Sequence, residues 1–280
     1  MTLPTILFDD IIDRALREDL SSGDVTTEST VAEGTTAEAH AVARSEIVVC
    51  GGAVFARVFA KLDPASEVTL RVADGTLSQK GTKLWRVRGD ARAILMAERT
   101  ALNLTQRMCG IATTTKTYVD ALPPSSKTRI TDTRKTMPGL RVLDRYAVRV
   151  GGAKNHRNDL GSAVLIKDNH VVAAGGVRAA IERARARAPH TSKIECEVDS
   201  LEQLTVALDA GADIVLLDNM TTDVVARAVA QTSGRAFLEA SGGITLARVR
   251  ELADAGVDAI SVGALTHSVV AADIGLDFTT

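Results

Sequence analysis

The second half of the chain repeats one unit: a buried run of five or six residues, a polar or glycine tip, then an amphipathic helix. The runs are "TRITDTR", "AVLIKDNH", "KIECEVD", "DIVLLDN", "AFLEASGG" and "AISVGAL", and the intervening helices include "VRAAIERARARA", "LEQLTVALDAG", "DVVARAVAQTSG" and "LARVRELADAG". Such alternation requires parallel strands with right-handed crossovers, and six or seven units close most naturally into a barrel. Barrel chemistry sits at the carboxyl ends of the strands. Those ends carry Asp132, Arg134, Lys167, Asp168, Glu197, Asp218, Glu239, Ser241 and Gly263. Solubility alone does not ask for ionisable groups there, because the helix surfaces already provide it.

The first half has a different rhythm. A helix at "FDDIIDRALREDL" precedes strand-like runs "AEAHAVARSEIVVCGG", "SEVTLRVADG" and "TKLWRVRGDA", with an apolar helix "AVFARVFAKL" among them, which is an α+β pattern. A long helix "ARAILMAERTALNLTQRMCG" closes this part, and Gly110 reads as its end. The domain boundary is therefore expected there, with an N-terminal domain over 1–110 and a barrel over 111–269.

Composition narrows the function. A net charge of -2 with one Trp, two Tyr and five Phe offers nucleic acid neither general attraction nor stacking surface. No run of 18 apolar residues suggests a membrane span. Cys50, Cys109 and Cys196 are far apart and form no CxxC pair, so a reducing cytoplasm is expected rather than a disulfide framework or zinc site. Yet "DTRKTMPGLRVLDRYAVRVGGAKNHRNDL" at 132–160 holds seven Lys or Arg against three Asp. Arg141, Arg145 and Arg149 recur at helical spacing and suit pairing with Asp144 on a solvated face. Arg134, Lys135, His156, Arg157 and Lys167 instead lie on loops or strand ends that converge on the barrel mouth, which implies a ligand set with several negative charges.

Three further groups are candidates. Glu197 and Asp218 are 21 residues apart, one strand-helix unit, so their carboxylates should be neighbours able to bind Mg²⁺ through water, hold ribose hydroxyls or stabilise a carbocation, unless they only pair with nearby cations. Ser241, Gly242, Gly243 and Gly263 precede helices at the two closing strands, where unpaired N–H groups cradle phosphate or glycines merely make tight turns. His267 could contact the same anion or cap the turn. Arg99, flanked at helical spacing by Leu95 and Leu102, is expected on a mostly apolar face, either paired internally or reaching a substrate.

The motifs "ERTALNLTQRMCGIAT", "DTRKTMPGLR", "GGAKNHR", "LIKDNH", "IECEVDS", "VLLDNM", "EASGGI" and "SVGALTHS", in that order, closely resemble quinolinate phosphoribosyltransferases over nearly the whole chain. The resemblance implies an α/β fold: an incomplete parallel α/β barrel with an N-terminal open-faced α+β sandwich domain, residues 270–280 returning to that domain, in a homodimer with shared active sites. It implies the joining of quinolinate to 5-phosphoribosyl-1-pyrophosphate with Mg²⁺, giving nicotinate mononucleotide, pyrophosphate and CO2 in NAD biosynthesis. Carried over by motif, Arg134, His156, Arg157 and Lys167 hold quinolinate with Arg99 of the partner chain. Lys135 faces the pyrophosphate, Glu197 and Asp218 the ribose and Mg²⁺, and Ser241, Gly242, Gly243, Gly263 and His267 the 5-phosphate. Rival readings are a molybdenum-transport-associated relative, another phosphate-gripping barrel using Lys167 as base or Schiff base, and a lipoyl-type carrier at "VADGTLSQKGTKLWRVRGD", which lacks the usual flanks around Lys80.

Overall fold

The computed structural model describes residues 3–279 and divides into two compact units. The first runs to Lys116 and takes in Thr136–Gly152 and the chain from Leu265 onward; the second comprises Thr117–Lys135 and Ala153–Ala264.

In the first unit, helices α1 (Asp9–Asp19) and α2 (Val25–Thr30) precede strands β1 (Thr36–Ala43) and β2 (Ile47–Val48), helix α3 (Gly52–Leu62), and strands β3 (Glu67–Leu70), β4 (Leu77–Ser78) and β5 (Lys83–Asp90). Helix α4 (Ala91–Asp120) follows, and α5 (Arg141–Val150) and the last strand β12 (Ile274–Phe278) join the same unit. The sheet is antiparallel, in the order β12-β1-β5-β3, and β2 pairs separately with β4. Phe55 and Phe59 of α3 lie one turn apart, so both face the sheet, where Phe55 meets Trp85 of β5 at a ring separation of 4.8 Å. All three are fully buried, and each contributes about 2–3 kcal/mol of transfer free energy.

Gly110 does not end α4, which continues ten residues further to Asp120. A Cβ at this position would collide with the Val270 carbonyl oxygen. Glycine is there to let a returning strand of backbone approach the helix, which is why it looked like a terminator in sequence. The helix expected to close at Gly110 is thus continuous past that residue, and the compact first unit also takes in α5.

The second unit is a sheet of six parallel strands: β6 (Arg129–Thr131), β7 (Val164–Ile166), β8 (Ile194–Val198), β9 (Ile214–Asp218), β10 (Phe237–Ser241) and β11 (Ala259–Ser261). Their order is β6-β11-β10-β9-β8-β7, with β6 and β7 at opposite edges and not paired to each other, so the barrel is incomplete. Helices α6 (Asp168–Ala174), α7 (Val177–Arg187), α8 (Leu201–Asp209), α9 (Thr222–Thr232) and α10 (Leu246–Ala255) fill the crossovers, and the short α11 (Ala264–His267) follows β11. All six strands stand where the hydrophobic runs predict them. No helix among the described residues is long and apolar enough to cross a membrane.

Candidate active site

Parallel register sorts the strand side chains into layers. Glu195 pairs in register with Leu165 and Ile214; one layer nearer the carboxyl edge, Glu197 aligns with Leu216, which aligns with Glu239; a layer further, Asp218 aligns with Ser241. Because successive residues alternate faces, Glu195, Glu197, Glu239 and Ser241 share one face of the sheet. Cys196, Val215, Leu217, Leu238 and Ala240 lie on the other and are buried.

Lys167 leaves β7 one residue beyond Ile166, the register partner of Cys196, so it stands beside Glu197. Its Nζ donates to Glu197 Oε2 at 2.6 Å, and its backbone N–H donates to His170 Nδ1 at 3.0 Å. Asp218 Oδ2 accepts from Asn219 Nδ2 at 2.7 Å. Glu197 Oε1 and Asp218 Oδ1 take no hydrogen bond from the described residues. Two hard oxygen donors on adjacent strands fit a Mg²⁺ ion held through its water shell.

The "NHR" segment is pinned from beneath by Asp132, which is fully buried. One Asp132 oxygen accepts the His156 backbone N–H at 2.6 Å and the other accepts Asn155 Nδ2 at 2.7 Å. His156 turns its imidazole inward: Nε2 lies 3.2 Å from Glu195 and 3.4 Å from Glu239, while Nδ1 accepts the Arg157 backbone N–H at 2.7 Å. Burial by itself lowers the imidazole pKa, but the hydrogen bond to Glu195 and the charges of Glu239, Glu195 and Asp132 outweigh it and raise the value. Glu239 is pushed up to about 7 by burial and then by the charge of Glu195, against the pull of His156. Glu195 was missed in the sequence because one alternation below Glu197 it looks like any polar residue in a strand.

Arg157 sits half-buried, with a guanidinium N–H on the Ala163 carbonyl at 3.2 Å. Burial and then the positive charge of Arg134 lower its pKa, partly opposed by Glu195 and Asp159. Two guanidiniums close enough to disfavour each other's charge suit the binding of an anion. Lys135 is exposed just beyond Arg134, its N–H donating to Thr133 Oγ1 at 3.1 Å. Arg99, in the first unit, is exposed on α4 between buried neighbours Ala97 and Ala101 and makes no hydrogen bond or ion pair with the described residues. The expectation that it would be shielded from solvent does not hold for the single chain.

The expected solvated face of α5 is also corrected. Asp144 is fully buried and accepts a two-pronged pair from Arg107, Nε to Oδ1 and Nη2 to Oδ2, both at 2.8 Å. Arg141, Arg145 and Arg149 are half-buried; Arg141 donates to Thr136 Oγ1 at 3.0 Å, and the Arg149 guanidinium lies 5.7 Å from the Tyr146 ring centre. The cause is long-range: a half-buried arginine 37 residues away claims Asp144.

At the closing strands, Gly242 has φ +88° and Gly243 φ +55°, ahead of α10, whose N-cap is Thr245. The turn therefore stands three residues before the helix rather than opening it. At Gly242 a Cβ would meet the Asn219 side chain and lie 2.8 Å from its backbone nitrogen, which donates to the Ser241 carbonyl at 3.1 Å. Gly242→Ala carries about 1–2 kcal/mol of backbone strain and, with phosphate held at this turn, is expected to weaken a phosphorylated ligand more than an unphosphorylated one. Calorimetry showing equal loss for both ligands would count against a phosphate role. Gly263 follows β11, and His267, exposed at the end of α11, lies 2.5 Å through Nδ1 from Ser268 Oγ.

Cations gathered with carboxylates at the carboxyl edge of a rigid parallel sheet suit a multiply charged ligand, and fold and site together define an α/β-barrel enzyme for phosphorylated or carboxylated substrates. Comparison with known proteins narrows the class. The model of the quinolinate phosphoribosyl transferase C-terminal domain matches residues 111–277 and that of the N-terminal domain residues 24–109, and the chain belongs to this family. It is 47% identical over 274 residues to the nicotinate-nucleotide pyrophosphorylase (carboxylating) of Mycobacterium leprae (strain TN), covering 96% of each chain. It is 39% identical over 296 residues to quinolinate phosphoribosyltransferase (decarboxylating) 1 of Nicotiana glauca, covering 99% of this chain and 84% of the relative. The crystal structure of NadC from Streptococcus pyogenes superposes with a TM-score of 0.94 at 37% identity over 100% of both chains.

Proposed function

We propose that this chain transfers the phosphoribosyl group of 5-phosphoribosyl-1-pyrophosphate to quinolinate with decarboxylation, giving nicotinate mononucleotide, pyrophosphate and CO2 for NAD biosynthesis. The observation that carries this reading is the Arg134–Arg157 pair, half-buried and mutually repelling, with the Lys167 ammonium at the same carboxyl edge. A dianionic pyridine matches that set, because each guanidinium fork can take a carboxylate. Arg99 of a partner chain completes it in a cytoplasmic homodimer. An aldolase-type reading is weaker, since Lys167 Nζ is committed to Glu197.

In this scheme the Ser241–Gly243 turn, Gly263 and His267 hold the 5-phosphate, and Lys135 faces the pyrophosphate. As pyrophosphate leaves, the ribose becomes oxocarbenium-like, and Glu197 and Asp218 stabilise the positive charge. The same two carboxylates would hold Mg²⁺ through water, and the ion would supply neutralisation of pyrophosphate charge. The pyridine nitrogen forms its bond to C1 as the C1–O bond breaks. Its new positive charge then stabilises the electron pair that stays on the adjacent ring carbon when the carboxylate departs as CO2, and that pair takes up a proton.

The test is direct: purified protein, quinolinate, the phosphoribosyl donor and Mg²⁺, followed for nicotinate mononucleotide and CO2. Nicotinate in place of quinolinate leaves part of the cation set Arg99, Arg134, Arg157 and Lys167 without a ligand carboxylate. Its kcat/KM is expected to be at least ~100-fold lower. Comparable values for both bases would overturn the dicarboxylate assignment.

A further inference from the structure

Beneath the proposed quinolinate site lies a buried group that the reaction scheme does not use. His156, Glu195 and Glu239 each bring one polar atom within 4.8 Å of the others. Both glutamates are almost wholly buried, at 3% and 4% exposure. They come from β8 and β10, which do not pair with each other; the pleat turns both side chains to the same face, and the imidazole bridges them.

The proton arrangement follows from His156 Nδ1. This nitrogen accepts the Arg157 backbone N–H at 2.7 Å, so its lone pair is in use and the ring proton is on Nε2. That N–H is engaged by Glu195 at 3.2 Å, while Glu239 Oε1 stands 3.4 Å away and takes no hydrogen bond from the described residues. Beside that pair, burial and then the charge of Glu195 push Glu239 up to about 7.

A metal ion is the obvious competitor, and the same geometry opposes it. Metal at Nε2 normally leaves a proton on Nδ1, which is donated to a carboxylate or carbonyl. Here Nδ1 faces a donor, not an acceptor.

We propose that Glu195 is a positioning residue of the anion site: it holds His156 in its Nε2–H tautomer, and that tautomer fixes the Arg157 backbone so that its guanidinium is aimed at a ligand carboxylate. Asp132 braces the same segment from the other side through the His156 and Asn155 N–H groups. The role rests on the reading of Arg157 as a quinolinate ligand. It makes the buried Glu195 part of the recognition apparatus although it does not touch substrate.

The experiment uses the full-length protein with Glu195→Gln and Glu239→Gln, changes that keep volume and so preserve the fold. Histidine ¹⁵N correlation spectra of the free protein should show the His156 proton on Nε2, retained in Glu239→Gln, where the amide imitates a neutral acid, and exchanging between nitrogens in Glu195→Gln. Quinolinate binding by calorimetry should weaken about tenfold in Glu195→Gln, the loss expected for one charge-assisted hydrogen bond, and stay within about twofold of wild type in Glu239→Gln at neutral pH. Binding of the phosphoribosyl donor should be unchanged in both.

A proton on Nδ1, equal loss for both substrates, or stoichiometric Zn²⁺ or Mn²⁺ in the purified protein that Glu239→Gln removes would each overturn the proposal. The tautomer is read without substrate, so the two layers separate. Wild type that does not bind quinolinate sinks the functional reading and the ligand named here. Wild type that binds it, with Glu195→Gln binding equally well, sinks only the positioning role.

Discussion

Co-expressed Arg99→Ala and Lys167→Ala chains are expected to recover about a quarter of wild-type turnover, although each variant alone is nearly inactive. Arg99 projects into solvent from α4 without a hydrogen-bond or ion-pair partner among the described residues, while its neighbours at 97, 100, 101 and 102 are buried. A rigid helix with an exposed, unengaged guanidinium suits delivery of that charge to another chain. Loss of one member of a desolvated charge pair costs about 2–5 kcal/mol, so each single variant should fall by about 100-fold or more. In a two-fold dimer with shared sites, a mixed pair gathers both defects in one site and leaves the other intact. Random pairing makes half the dimers mixed, and half the sites of those are whole, hence the quarter. If Arg99 served its own chain, every site would keep one defect. A re-equilibrated mixture no more active than its parents therefore rules out the shared site.

Asp144→Ala should be among the most destabilising single changes in the molecule, at roughly 3 kcal/mol, the low end for breaking a buried ion pair because Arg107 retains 18% of its side-chain exposure. The carboxylate has no exposure and takes both arms of Arg107 as well as the Met137 backbone N–H at 3.2 Å. Arg107 Nη2 also reaches the Thr266 carbonyl at 3.0 Å. Removing the acid strands a cation and an N–H together. Replacing both partners, with Arg107→Met and Asp144→Leu, should recover much of the loss, since a packed apolar pair avoids the desolvation that the ions suffer. Urea unfolding with an unchanged m-value checks both, and a loss below about 1 kcal/mol for Asp144→Ala would show that the pair is replaceable by water.

These two residues mark the limit of sequence reading. Asp144 falls at a helical spacing from Arg141 and Arg145, so local periodicity offered surface partners; its actual partner is Arg107, brought by a helix that precedes it by tens of residues. Gly110 failed in the same way, its small size answering to Val270 rather than to the end of its own helix.

By itself the sequence determined the elements and the edge that bears the site. Hydrophobic period is a local property of the chain, so the six parallel strands, their helices and the charged tips Arg134, Lys167, Glu197, Asp218 and Ser241 could be read directly, and the ordered motifs identified the family. Only the tertiary structure decided which charges meet. Register set Lys167 on Glu197, and two strands that do not pair with each other brought Glu195 and Glu239 to one imidazole. The strength of a charge pair depends on distance and on the water around it, and both are fixed by chain segments far apart in sequence.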